Sequence, residues 1–114
     1  MQPEVRTRLH HVIEAGEKIL RITVGKTFLD YTTTEALPPA VERLFTIIGE
    51  ALREANRLDP TIGTRITEFR RIIDFRNILV HDYAIVYDEG VWRIIQGDLP
   101  RLLTEVRTLL SGAD

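Results

Sequence analysis

The chain has 114 residues, 44% of them apolar and 28% charged, with a formal net charge of −2 and no cysteine. Those values fit one domain over residues 1–114, long enough to bury a core without staples. They exclude a disulfide scaffold, a thiolate metal site, a cysteine nucleophile and a strongly basic nucleic-acid coat, while leaving room for a local basic face.

The hydrophobic periodicity is helical almost throughout. Residues 4–24 carry Val5, Leu9, Val12, Ile13, Ile19 and Leu20 on one face of an amphipathic helix. Gly25 suits its left-handed cap. Residues 26–34 connect onward, with room for one short helical turn. Pro38 and Pro39 then mark a helix entry, where a missing N–H loses no partner. The second helix runs to about Arg57 with Val41, Leu44, Phe45, Ile48, Leu52 and Ala55 as its stripe. Gly49 inside it costs up to about 1 kcal/mol relative to alanine, so a close approach by another helix is expected there. Residues 59–64 read as a loop.

A third helix is expected to start at Thr64 or Thr67 as N-cap, with Ile66, Phe69, Ile72, Ile73, Leu79 and Val80 as its stripe. Residues 84–87 could be a strand on composition, but a lone strand has nothing to pair with, so they read as loop or helix end. Asp88-Glu89-Gly90 is a turn signal. Beyond it come one short helix and one longer helix, with Pro100 at the entry of the second. The sum is an all-α bundle of four to five helices. No apolar run approaches the roughly 18 residues needed to span a bilayer, and residues 1–6 start no apolar signal core. A cytoplasmic protein with no membrane partner is expected.

Charge and polarity single out one stretch. Arg65, Arg70, Arg71 and Arg76 stand against Glu68 and Asp74 in an acidic chain. Arg76 sits where the stripe calls for a core residue, and Asn77, His81 and Tyr83 follow within eight residues. A buried arginine needs an acceptor. The residues alone allow two readings. One is a satisfied helix end, with Arg76 paired to an acid and His81 capping carbonyls. The other is a site in which His81 is general base or acid and Arg76 clamps phosphate. Those groups suffice for transesterification at phosphorus by an RNA 2′-hydroxyl, with no metal and no cofactor. DNA lacks that hydroxyl. Arg76 and His81 lie about 140° apart on an ideal helix. They meet only if the helix opens near His81 or a second subunit closes the site.

Other candidates are weaker. His10 and Glu14 are spaced as a ligand pair without a third ligand, so a solvated face is expected. Tyr31, Tyr87 and Trp92 read as packing or surface residues. Gly25-Lys26-Thr27 lacks the first glycine of a phosphate loop.

Arg76-Asn77-Ile78-Leu79-Val80-His81-Asp82-Tyr83 resembles the Arg–x4–His–x–Tyr motif of HEPN ribonucleases. Nearly the whole chain resembles the HepT-type toxins among them. Ile47-Ile48-Gly49-Glu50-Ala51 is similar to their second-helix signature. Val91-Trp92-Arg93-Ile94-Ile95 with Asp98-Leu99-Pro100 is similar to their C-terminal pattern. Asp74 departs from the small residue expected before the motif. The resemblance implies a helical homodimer whose two motifs line a shared cleft. It implies a metal-independent endoribonuclease with Arg76 and His81 catalytic and Asn77 supporting. It also implies the toxin half of a toxin–antitoxin pair. The other half, an MntA-type nucleotidyltransferase, would neutralise the toxin by AMPylation of Tyr83. A non-catalytic helical dimer that binds such a nucleotidyltransferase is the alternative.

Overall fold

The computed structural model describes residues 1–81 and 88–112, with side chains at all of these except 78–81, and every regular element among them is helical. Helix α1 spans Pro3–Thr23, and its stripe Val5, Leu9, Val12 and Ile19 is fully buried. Each such aliphatic side chain contributes roughly 1.5–3 kcal/mol by leaving water. Gly25 ends the helix at φ +74°, the left-handed region glycine enters without strain.

The expected short turn is α2, Phe28–Thr33. A capping box starts it. Thr27 Oγ1 accepts from Asp30 N at 3.1 Å, and Asp30 Oδ2 accepts from Thr27 N at 2.8 Å. These bonds hold the Asp30 carboxyl below its usual pKa. The box fixes a helix too short to persist alone and delivers Tyr31 into the core, fully buried, its ring 5.5 Å from that of Trp92. Burial raises the Tyr31 pKa, and the nearby Asp88 and Glu42 carboxylates add to the effect.

Helix α3, Leu37–Leu58, carries the two prolines in its first turn and buries Val41, Phe45, Ile48, Leu52 and Ala55. Asp59 Oδ1 then accepts from both the N–H and the hydroxyl of Thr61, at 3.1 and 2.7 Å, and a 3₁₀ turn follows at Ile62–Thr64.

Helix α4, Phe69–His81, starts later than its sequence suggests. Neither Thr64 nor Thr67 caps it. The Thr67 N–H and hydroxyl donate instead to the Glu105 carboxylate, at 3.1 and 2.7 Å. The chain turns into α4 at Glu68, whose φ is +59° and whose carbonyl accepts from Ile72 N. Of the expected stripe, Ile66 is buried, but Phe69, Ile72 and Ile73 only pack against the core from outside it, as Phe75 does beside them. The cause is that α4 leans mainly on α3. Phe75 meets Phe45 edge-on at 5.4 Å, and Gly63 N donates to Asn56 Oδ1 at 2.8 Å, so α4 runs back along α3. Its other flank is open. An apolar cavity of about 240 Å³ lies there, with Phe45, Ile72, Phe75, Leu99 and Leu102 among its walls.

The C-terminal region corrects one expectation. Asp88-Glu89-Gly90 opens helix α5, Asp88–Arg93, rather than a turn. One short helix and one longer helix follow as expected, with Pro100 in the first turn of the longer one and no break between them. Arg93 and Leu99 both keep right-handed helical angles, so α5 passes through a π segment, Ile94–Asp98, into α6, Leu99–Leu110. The π turn lies just before Pro100, with Leu99 N donating to Ile94 O. The wider turn lets a proline sit inside a continuous rod. Helix α6 returns antiparallel along α1. Arg6 reaches the Leu110 carbonyl, and Leu103 packs against Gly16. Among the described residues no helix is long and apolar enough to cross a membrane.

Candidate active site

Arg76 projects from α4 toward α3 at Gly49. A methyl group at position 49 would collide with the Cβ and Cγ of Arg76. The close approach expected at this glycine is therefore made by the arginine's stem and not by a helix backbone. Only 15% of the Arg76 side chain is exposed. Its Nε is buried without a partner among the described residues, while the two terminal nitrogens reach polar groups. Nη1 donates to Asn77 Oδ1 at 3.1 Å and Nη2 donates to Glu50 Oε1 at 3.4 Å. The acid that the helix-end reading asks for is thus present, and it is Glu50.

That pairing is loose. The Glu50 side chain is half-exposed and the contact is long. Partly solvated pairs of this kind are worth about 0–1 kcal/mol. Glu50 and Asn77 orient the guanidinium without saturating it. A phosphate offering two oxygens in one plane would bind its outer edge better than Glu50 does.

His81 is the last residue of α4, which stays helical throughout. The helix does not open before His81. On an unbroken helix it lies about 7.5 Å along the axis from Arg76 and about 140° around it. The His81 side chain is not among those described, and Tyr83 and Tyr87 lie outside the described residues. Asp74 is exposed. His10 and Glu14 are both exposed on α1, and among the described residues no three His, Asp or Glu side chains gather to hold a metal ion. Tyr31 and Trp92 pack together, as their apolar setting suggests.

Sequence reasoning missed the part played by Glu50. It lies inside the Ile47–Ala51 signature, beside the one glycine whose absence of side chain admits Arg76. An acid next to a mid-helix glycine, opposite an out-of-place arginine, is the signal that could have found it.

An all-helical chain with Arg76 so held belongs to a known class. The chain is a member of the HepT-like family: the family described as "Ribonuclease HepT-like" matches residues 12–109. Among curated proteins it is similar to "Gamma-glutamylcyclotransferase and putative RNase MJ0434" of Methanocaldococcus jannaschii, 29% identical over 114 residues, all of this chain and 51% of that protein. It is also similar to "Putative RNase MJ1380" of the same organism, 26% identical over 90% of this chain and 94% of that protein. "Putative RNase TTE0752" of Caldanaerobacter subterraneus is 26% identical over 93% and 94%. The chain therefore spans about half of the first relative and nearly all of the other two. No solved structure matches it.

Proposed function

We propose that this chain, as a single HEPN domain, is the toxin of a type VII toxin–antitoxin system and a metal-independent endoribonuclease. The observation that carries the reading is Arg76, its stem laid over Gly49 and its two terminal nitrogens held only loosely by Glu50 and Asn77. Membership of a ribonuclease family and the RNase names of its relatives support the substrate class.

In this mechanism Arg76 grips the scissile phosphate and stabilises the charge that builds on it. His81 takes the proton of the ribose 2′-hydroxyl. The 2′-oxygen attacks phosphorus, the bond to the 5′-oxygen breaks, and that oxygen leaves with a proton from a histidine. The products are a 2′,3′-cyclic phosphate and a 5′-hydroxyl. Asn77 keeps the guanidinium in place. The unbroken course of α4 favours a homodimer, because a second copy can bring His81 to Arg76 where one helix cannot. An MntA-type nucleotidyltransferase would silence the site by AMPylating Tyr83, two residues past His81. Added phosphates there would obstruct RNA and repel its backbone.

The test is RNA cleavage in EDTA by protein made without its antitoxin. Wild type is expected to leave 2′,3′-cyclic ends, and His81→Ala and Arg76→Ala to lose about 10²–10⁴-fold in rate with helical content unchanged. Full activity in either variant would remove that residue from the mechanism. The Glu50 contact favours a second reading, a non-catalytic dimer whose motif serves a nucleotidyltransferase. A folded wild-type chain that is harmless when expressed alone would point there.

A further inference from the structure

A second feature of α4 lies beside Arg76. An open cleft of about 950 Å³ runs between α3 and α4, from the 3₁₀ turn to Asn77. Arg53 on one wall and Arg70 on the other both line it. Both are exposed. Arg57, Arg71, Arg101 and Arg107 each pair with a carboxylate, to Glu54, Glu68, Asp98 and Glu17 respectively. Arg53 and Arg70 have no ion pair among the described residues, so their charges are unspent.

The register places these charges in line with the candidate site. Arg70 and Asn77 are seven residues apart, on nearly the same face of α4 and about 10 Å along it. Arg53 follows Glu50 by three residues on α3, one turn further from Arg76. The cleft also takes in Phe69 and Arg70, the first residues of a 13-residue helix. Unpaired N–H groups and the positive end of the helix dipole add to the arginines there. The polarity thus runs from α4's N-terminus to Asn77, which itself holds Arg76. Two carboxylates line the same cleft: Glu68, which is paired with Arg71, and Asp74, which has no ion pair among the described residues and opposes the track.

We propose that this cleft is a binding track for the sugar–phosphate backbone of single-stranded RNA, with Arg53 and Arg70 holding phosphates next to the one at Arg76. The proposal rests on the ribonuclease reading and names where its substrate lies. Packed helices stand about 8–10 Å apart, too close to admit a duplex between them. A single strand with its phosphates on a basic groove fits the space and the charge. Contacts of this kind position the strand and carry no sequence information. Asp74 weakens the track by repulsion.

The experiment measures Kd, KM and kcat for a mixed-sequence single-stranded RNA across a salt series. Arg53→Gln with Arg70→Gln is expected to raise KM and Kd about tenfold with kcat little changed. The slope of log K against log salt should fall by about 0.7 for each arginine. Asp74→Asn should shift KM and Kd the other way. Arg21→Gln, an exposed arginine of α1 away from the cleft, should do neither. Wild-type cleavage with an unchanged KM and slope in the double variant overturns the track and leaves the ribonuclease reading standing. An equal loss in Arg21→Gln, or equal affinity for duplex RNA, overturns it too. A wild type that neither binds nor cleaves RNA removes both.

Discussion

Gly49 and Arg76 form the closest packing at the site, and each explains the other. The glycine costs helix stability, yet only a missing side chain lets the arginine's stem lie flat on α3. Gly49→Ala therefore forces either the stem or the helix outward. The alanine gains helix propensity, but the collision is with atoms near the arginine backbone, which yield poorly. A net loss of about 1–3 kcal/mol is expected by chemical denaturation. Cleavage should fall further than stability, since Arg76 would leave its seat over Gly49 and its contacts with Glu50 and Asn77. A variant with wild-type stability and activity would mean that the stem moves aside at no cost. The arginine was legible in the sequence as a polar residue on an apolar stripe, and so was the need for an acceptor. Which acid would answer was not, because Glu50 is 26 positions away and its pairing depends on the α3–α4 register.

At the level of elements, periodicity located α1 and α3 closely because one wide stripe on each is fully buried. It served α4 less well. Thr67 has the composition of a cap, but its hydroxyl bonds to Glu105 across the molecule, a contact no local pattern contains. Pro100 marked the entry of α6 correctly, while the π turn that joins α6 to α5 without a break left no local signal. Where the capping chemistry is local it governs, as at α2. Six residues cannot hold a helix without help, and the Thr27–Asp30 box supplies it. Thr27→Ala should lower stability by about 1 kcal/mol, read from the urea midpoint. The Asp30 carboxyl has its pKa depressed in the folded chain, so its contribution is present above the unfolded value of 3.8 and is lost as pH falls through the folded value. The deficit of the variant should accordingly shrink in acid. A deficit that stayed constant down to pH 2 would assign the effect to something other than the box.

On the scale of the whole molecule, α4 is half in and half out of the bundle. It leans on α3, its opposite flank borders an apolar cavity, and it carries Arg76 and His81 on faces about 140° apart. A site shared between two copies would reconcile these facts, with Arg76 of one acting alongside His81 of the other. That arrangement has a consequence no single-chain site shares. In a mixed dimer of Arg76→Ala and His81→Ala chains, one of the two sites would collect both defects and the other neither. Random mixing makes about half the dimers mixed, each with one working site, so about a quarter of wild-type cleavage should return from two inactive proteins. If each chain instead builds its own site, every site in the mixture keeps one defect and nothing returns. The measurement is cleavage by co-refolded variants against each variant alone, with mixed dimers isolated through two different tags. Recovery would place the catalytic pair across a subunit boundary. Its absence, in mixed dimers shown to form, would require His81 to reach Arg76 within one chain and the last turn of α4 to unwind when RNA binds.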